Sequence, residues 1–218
     1  MRPLIIFDLD GTLLYTLDDL ANSVNYVLQK HQLPTYPINN YRQFVGNGVT
    51  NLIKKAVPPT IHSTEKFTHI LNDFLLYYSQ HQYDTTHPFD GIVDTLQQLK
   101  NQNMLLAVAS NKMHEATVSI VEHFFPTISF DIILGQIPQR AIKPNPQIII
   151  DILQNFQLSP QDGIFVGDSD VDILTAHNAQ MQAIGVLWGY RNKTELKNAQ
   201  ADFIIQKPME IIDILRNN

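Results

Sequence analysis

The chain has 218 residues, no cysteine, and 15 Lys and Arg against 21 Asp and Glu, a formal net charge of −6. The lack of cysteine excludes disulfides, cysteine metal ligands and thiol nucleophiles. The acidic balance, without any Lys/Arg run, argues against a general nucleic-acid binder. No apolar run approaches the ~18 residues of a membrane span, and the run before Asp8 is too short for a signal peptide. We therefore expect a cytoplasmic protein.

The first predicted element is a strand. Residues 4–7 form an unbroken apolar run, typical of a strand buried on both faces in a parallel sheet. Asp8 and Asp10 follow it, and side chains at i and i+2 of an extended chain point the same way, so both carboxylates are expected in one pocket. Two such carboxylates repel each other unless a proton or a cation lies between them. The alternative is an ordinary acidic turn over residues 8–12, since Asp, Gly and Thr are common turn residues.

The next segment, residues 16–82, is predicted to be helical throughout. Thr16 and Asp19 fit a capping box, and apolar residues recur after them at helical spacing. We predict no strand between Thr16 and His81. Within this segment, Gly46-Asn47-Gly48 is either a helix C-cap with a tight turn or a loop that meets the substrate.

Beyond a polar linker, strands and helices alternate to the end of the chain. The predicted strands are 104–109, 130–134, 163–166, 183–187 and 203–205, and the predicted helices are 91–101, 113–124, 147–156, 171–178 and 209–216. This alternation predicts a Rossmann-like α/β fold, a parallel sheet with helices on both faces. We expect residues 1–15 and 83–218 to form this core, with residues 16–82 inserted as an all-helical domain after the first strand.

Polar residues follow several of the predicted strands, and the carboxyl ends of parallel strands form the rim where ligands bind. The residues expected to meet there are Asp8, Asp10, Ser110, Asn111, Lys143, Asp168 and Asp172. Carboxylate oxygens suit octahedral Mg²⁺, whereas a hydroxyl, a Lys and backbone N–H groups around Gly11 suit phosphate. Together these groups predict metal-assisted phosphoryl transfer, in which a carboxylate takes up the phosphoryl group and releases it to water.

Ordinary structural explanations remain open for the same residues. Asp168 and Asp172 could form a turn and a helix N-cap. Ser110 and Asn111 could cap the helix that follows them, and Lys143 could be a solvated side chain.

The sequence resembles the haloacid dehalogenase superfamily over essentially its whole length. Four motifs occur in that family's usual order: Asp8-Leu9-Asp10-Gly11-Thr12, Ser110-Asn111, Lys143-Pro144 and Gly167-Asp168-Ser169-Asp170-Val171-Asp172. The helical segment 16–82 resembles the superfamily's cap domain. Finer likeness to phosphoglycolate phosphatases lies in Gly46-Asn47-Gly48, Pro88-Phe89-Asp90-Gly91, Ser110-Asn111-Lys112 and Val186-Leu187-Trp188-Gly189-Tyr190. The pair Tyr15-Thr16 departs from that pattern, which has an acidic residue and Ser there.

The resemblance implies a role for each matching residue. Asp8 would be the nucleophile and Asp10 the general acid and base. Lys143 would hold the phosphoryl oxygens and offset the repulsion between the anionic nucleophile and the anionic phosphate. The implied Mg²⁺ ligands are Asp8, Asp10 and Asp168, with support from Asp172, and the implied substrate contacts are Gly11, Thr12, Ser110, Asn111, Lys143, Gly46 and Asn47. The implied activity is a cytoplasmic, Mg²⁺-dependent phosphatase for a small phosphorylated metabolite, 2-phosphoglycolate first. It would act as a monomer or homodimer without nucleic-acid or membrane partners.

Three other functions stay open. A phosphosugar mutase or a pyrophosphatase would belong to the same superfamily, and a mutase would use acid–base groups of the helical segment such as His62 or His69. A non-catalytic phosphate-binding regulatory module would need Lys143 and backbone amides but no nucleophile, so the Asp8 and Asp10 pair favours an enzyme.

Overall fold

The computed structural model describes residues 3–217, and the strands in that range form one large sheet and one small ribbon. In chain order the strands are β1 Leu4–Phe7, β2 Leu14–Tyr15, β3 His87–Pro88, β4 Leu105–Met113, β5 Ile132–Gln136, β6 Gly163–Gly167, β7 Gln182–Val186 and β8 Phe203–Ile205. The large sheet has the order β5-β4-β1-β6-β7-β8, and each of its strand pairs is parallel. The predicted parallel α/β sheet is therefore confirmed.

The helices flank this sheet and fill the segment between β2 and β3. They are α1 Leu17–Lys30, α2 Gly48–Ala56, α3 Glu65–His81, α4 Ile92–Asn101, α5 His114–Phe124, α6 Gln147–Phe156, α7 Asp170–Asn178, α8 Lys193–Asn198 and α9 Glu210–Asn217. Short 3-10 helices lie at Ile38–Gln43, Pro59–Ile61 and Pro160–Asp162. Within residues 3–217, no helix is both long enough and apolar enough to cross a bilayer.

The central strand β1 contributes to two hydrophobic cores because its side chains alternate between the faces of the sheet. Ile5 and Phe7 pack in a cluster with residues of α4, α5 and α9. Leu4 and Ile6 pack on the opposite face in a cluster with residues of α6, α7 and α8. This burial on both faces explains why the strand is apolar throughout, and it fixes the direction in which residues 8–10 leave the sheet.

A third hydrophobic cluster holds α1, α2 and α3 together. We call residues 16–82 the helical insert, because the structure gives them helices and no strand. The insert joins the sheet through the antiparallel ribbon, in which β2 pairs with β3. β3 lies in the segment predicted to be a polar linker, and neither ribbon strand nor α8 was predicted from the sequence.

The predicted capping box at the start of α1 is wrong. Thr16 is the N-cap residue but makes no side-chain capping bond. Its hydroxyl lies 3.1 Å from the Tyr190 hydroxyl instead. Asp19, which is 2% exposed, accepts hydrogen bonds from the backbone N–H and the hydroxyl of both Thr85 and Thr86, at 2.5–3.1 Å. This carboxylate therefore ties the first helix of the insert to the segment that leads into β3.

Removing the Asp19 carboxylate should destabilise this junction strongly. Asp19→Ala leaves the donors of Thr85 and Thr86 without their acceptor, and we expect a loss of about 2–4 kcal/mol in the free energy of unfolding. The matched control is Asp18→Ala, which removes one hydrogen bond from Tyr15 at 2.6 Å and should cost less than about 1 kcal/mol. Urea unfolding of both variants measures the difference, and equal losses would contradict the junction role.

Candidate active site

The site lies where β4, β1 and β6, adjacent in the sheet, reach their carboxyl ends. Asp8 follows β1, Ser110 lies in the last part of β4, and Asp168 follows β6. The Asp8 N–H donates to the Val166 carbonyl at 2.9 Å, which fixes the exit from β1 against β6. These three residues line one cavity of about 380 Å³, whose opposite wall comes from α1, α2 and α3.

Three carboxylates form a buried cluster at the base of this cavity. One oxygen each from Asp8, Asp168 and Asp172 lies within 4.8 Å of the others, and all three side chains are buried. Lys143, 2% exposed, completes the cluster. Its Nζ donates to Asp8 Oδ1 and to Asp172 Oδ1, both at 2.7 Å.

Burial controls the ionisation of this cluster. Burial, followed by the negative charge of Asp172, raises the pKa of Asp8 well above its usual value and the pKa of Asp168 to about 7. Burial would lower the pKa of Lys143, but the carboxylates of Asp172 and Asp8 outweigh it and raise that pKa. One ammonium faces three carboxylates here, so the donor set fits a hard divalent cation such as Mg²⁺.

Asp168 and Asp172 have different surroundings within the cluster. Both Asp172 oxygens are engaged: Oδ1 with Lys143, and Oδ2 with the Ser169 N–H at 3.0 Å and hydroxyl at 2.6 Å. Asp172 thus closes the capping box of α7 and orients Lys143. Asp168 Oδ2 accepts from the Tyr190 N–H at 2.6 Å. That approach requires Gly189, because a Cβ there would lie 2.3 Å from Asp168 Cβ.

Asp10 lies beside the cluster and has another partner. Its carboxylate lines the cavity but is not one of the three clustered carboxylates. Lys112 Nζ donates to Asp10 Oδ1 at 3.1 Å and to the Tyr78 hydroxyl of α3 at 2.8 Å. Asp8 and Asp10 therefore share one cavity, while each is held by a different lysine.

Ser110 and Asn111 line the cavity and do not cap the next helix. The N-cap residue of α5 is Met113. Ser110 Oγ, buried at the cavity wall, accepts from the Lys112 N–H at 3.1 Å. Asn111 Oδ1 accepts from the Lys143 N–H at 2.8 Å, and its Nδ2 donates to the Gly46 carbonyl at 2.9 Å. The Asn111 side chain thus holds the loop of Lys143 and also reaches the helical insert.

Of the remaining predicted substrate contacts, some line the cavity and others do not. Gly46 lines the cavity, whereas Asn47, the N-cap residue of α2, does not. Gly11 and Thr12 do not line it. Gly11 has φ +94°, and a Cβ there would lie 2.6 Å from Asp168 Oδ2, so only glycine fits. Thr12 is fully buried, and its Oγ1 has no partner among residues 3–217.

Four residues at this site were not singled out as site residues from the sequence: Lys112, Tyr78, Tyr190 and Arg191. Lys112 had a usable signal, because it lies two residues after Ser110 in one extended strand and follows the Ser110-Asn111 motif. The Tyr190 hydroxyl accepts from the Thr16 N–H at 2.8 Å and lies 3.1 Å from the Thr16 hydroxyl. Arg191 donates to the carbonyls of Arg42 and Val45. These long-range contacts join the strand end to the helical insert.

Comparison with known proteins places the chain in a family. The family described as haloacid dehalogenase-like hydrolase matches residues 5–186. The chain belongs to that family. This haloacid dehalogenase-like hydrolase is 32% identical to a phosphoglycolate phosphatase of Mannheimia succiniciproducens and 33% identical to one of Pasteurella multocida, with 97% of each chain covered in both cases. The resemblance drawn from the sequence motifs is therefore confirmed.

The fold of this haloacid dehalogenase-like hydrolase also matches solved structures. A crystal structure of a predicted phosphoglycolate phosphatase from Haemophilus somnus superimposes with a TM-score of 0.91 at 32% identity, covering 98% of both chains. CbbY from Rhodobacter sphaeroides, crystallised in complex with phosphate, superimposes with a TM-score of 0.81 at 20% identity, over 97% of this chain and 96% of that one, and at that identity supports the fold alone.

Proposed function

We propose that this chain is a Mg²⁺-dependent phosphatase that hydrolyses small phosphomonoesters through a covalent phosphate on Asp8, with 2-phosphoglycolate as the first candidate substrate. The observation that carries the proposal is the buried pair of Asp8 and Lys143 at 2.7 Å. A phosphate-binding module needs the cation but has no use for a buried carboxylate beside it, since that carboxylate repels phosphate.

The proposed reaction has two steps on phosphorus. In the first, an Asp8 oxygen attacks the phosphorus, a bond forms between them, and the ester oxygen leaves with a proton from Asp10. In the second, Asp10 takes a proton from water as that water attacks the phosphorus, and the bond to Asp8 breaks to release phosphate. Ser110 and Lys143 would hold the phosphoryl oxygens, and Asn111 would keep the Lys143 loop in place.

The metal would be held by Asp8, Asp168 and the backbone carbonyl of Asp10, with Asp172 supporting. When bound, Mg²⁺ would supply positive charge that offsets the repulsion between the Asp8 carboxylate and the phosphate. Asp172 itself would act on Lys143, since both of its oxygens are already engaged.

The helical insert would be the cap domain of this enzyme. Residues of α1, α2 and α3 form the cavity wall opposite the carboxylates, so closure of the insert would exclude water and complete the substrate pocket. The mutase alternative has less support, because its candidate groups His62 and His69 do not line the cavity. His62 hydrogen-bonds the carbonyls of Lys54 and Val57 instead.

A phosphate-release assay over a panel of phosphorylated metabolites tests this function. We expect 2-phosphoglycolate to be hydrolysed with Mg²⁺ and not with an excess of chelator, and we expect added Mg²⁺ to restore activity. Isomerisation of a phosphosugar without free phosphate would favour the mutase instead. A preference for pyrophosphate would favour the pyrophosphatase, and binding of phosphate without any turnover would favour the regulatory module.

A further inference from the structure

The pair of Lys112 and Tyr78 carries an inference about the leaving group. Lys112 lies at the end of β4 and Tyr78 on α3, and both line the cavity next to Asp10. The Lys112 side chain is 7% exposed, and Tyr78 is 6% exposed. Both polar groups are therefore nearly removed from bulk water. In such a buried environment a hydrogen bond to a charged partner is stronger than in water.

Both groups still have a proton to donate. An ammonium has three N–H donors, and the acceptors of Lys112 Nζ in the structure are the Asp10 carboxylate and the Tyr78 hydroxyl. The Tyr78 oxygen accepts from Lys112, so its own O–H is left for another acceptor. Burial, above all, raises the pKa of Tyr78 to about 12, which keeps this donor protonated at neutral pH. One positive charge and two N–H or O–H donors thus lie together.

The other cations of the cavity are engaged elsewhere. Of the side chains that line it among residues 3–217, Lys112 and Arg191 are the basic ones. Arg191 donates to the carbonyls of Arg42 and Val45. Lys143 lies behind the cavity between Asp8 and Asp172. Lys112 is therefore the cation best placed to meet an anionic group of a substrate outside its phosphate.

We propose that Lys112 and Tyr78 bind a carboxylate on the leaving group and thereby select phosphomonoesters whose ester carbon carries a carboxylate directly. In the proposed reaction, Asp10 contacts the ester oxygen, and Lys112 contacts Asp10. A substrate group that binds Lys112 must therefore lie only a few bonds from the ester oxygen. Asp10 is protonated before the first step, since it donates its proton to the ester oxygen, so the charge of Lys112 is then available to a substrate carboxylate whose two oxygens match the two donors. This inference rests on the proposed phosphatase function.

The test compares two substrates that differ in this group alone. 2-Phosphoglycolate carries the carboxylate, and 2-hydroxyethyl phosphate carries a neutral hydroxymethyl group in its place. For the unmodified protein we expect kcat/KM to favour 2-phosphoglycolate by about 10- to 150-fold, the range of charge-assisted hydrogen bonds in buried sites. In Lys112→Met this ratio should fall close to one. In Tyr78→Phe, which removes one hydroxyl, it should fall several-fold, and Lys112→Arg should retain part of it.

Two results would overturn the inference. One is an unmodified protein that hydrolyses both substrates with equal kcat/KM. The other is a Lys112→Met variant in which kcat/KM falls by the same factor for both substrates, since Lys112 would then act only by positioning Asp10. Binding is measured separately by calorimetry in an Asp8→Asn background, where 2-phosphoglycolate should bind at least tenfold more weakly after Lys112→Met. This arm separates the inference from the proposed function, because binding can depend on Lys112 even in a protein that releases no phosphate.

Discussion

Asp8→Asn is expected to reduce phosphomonoester hydrolysis by about 10⁴- to 10⁶-fold, because removal of a nucleophile forfeits the whole covalent route. An amide cannot form the bond to phosphorus, and it also weakens the contact with Lys143, which now lies 2.7 Å from Asp8 Oδ1. The fold should survive, since Asn is close in shape to Asp and relieves the burial of a charge. The measurement is kcat for phosphate release from 2-phosphoglycolate and p-nitrophenyl phosphate.

Asp170→Asn is the matched control for this substitution. Asp170 belongs to the same acidic motif as Asp168 but is exposed at the start of α7. The same change of charge there should leave kcat within about twofold, as for surface substitutions away from a site. Retention of more than a few per cent of activity by Asp8→Asn, with an intact fold, would contradict a nucleophilic role.

Asp168→Asn should stabilise the metal-free protein at high pH and remove its response to Mg²⁺. Burial and the charge of Asp172 raise the folded-state pKa of Asp168 from 3.8 to about 7. Between these values the folded protein binds more protons than the unfolded chain, so the free energy of unfolding falls as pH rises from about 4 to 8. The fall in the free energy of unfolding that comes from Asp168 is on the order of 4 kcal/mol, and Asp168→Asn should remove most of it.

Urea unfolding in chelator at pH 5 and pH 8 measures this effect. The unmodified protein should lose stability between the two pH values, and the variant should lose less. Added Mg²⁺ should stabilise the unmodified protein at pH 8 and have little effect on Asp168→Asn, since a ligand that binds only the folded state raises its stability by mass action. An identical pH dependence and Mg²⁺ response in both proteins would argue against Asp168 as a metal ligand.

The sheet and its polar rim could be predicted because both depend on local pattern and a general rule of topology. The apolar run at 4–7 required burial on both faces, and the alternation after residue 83 required a parallel sheet. Strand ends of such a sheet share a rim, so Asp8, Ser110 and Asp168 could be expected together, and the structure has them around one cavity.

The junction with the helical insert could not be predicted in the same way. Each ribbon strand has two residues, too few to show any period. Thr16 and Asp19 fit a capping box locally, but partners distant in sequence compete for them: Tyr190 takes the threonine hydroxyl, and Thr85 with Thr86 takes the carboxylate. The local pattern predicted the wrong hydrogen-bond partners because contacts with residues distant in sequence replace the local capping bonds.

Several residues that line the cavity could not be predicted from the sequence either. Gly46 and Asn47 were both expected to meet the substrate; Gly46 lines the cavity together with Gly48, whereas Asn47 does not. Lys112 becomes a site residue through Tyr78, 34 positions earlier in the chain, and through Asp10, 102 positions away. The order of the motifs indicates the reaction class, but the cavity wall beside Asp10 depends on where α3 places Tyr78 relative to Lys112 of β4.

A covalent route through Asp8 is tested directly by a search for phosphate on that residue. Asp10→Asn should slow the release of phosphate from Asp8, because the group that activates water is lost. After rapid mixing of this variant with p-nitrophenyl phosphate and Mg²⁺, followed by acid quench, mass spectrometry should find one phosphoryl group on the peptide that contains Asp8, and none in the Asp8→Asn, Asp10→Asn double variant. Release of p-nitrophenol in a first turnover without any phosphorylated Asp8, or with phosphate on another residue, would contradict a nucleophilic role of Asp8.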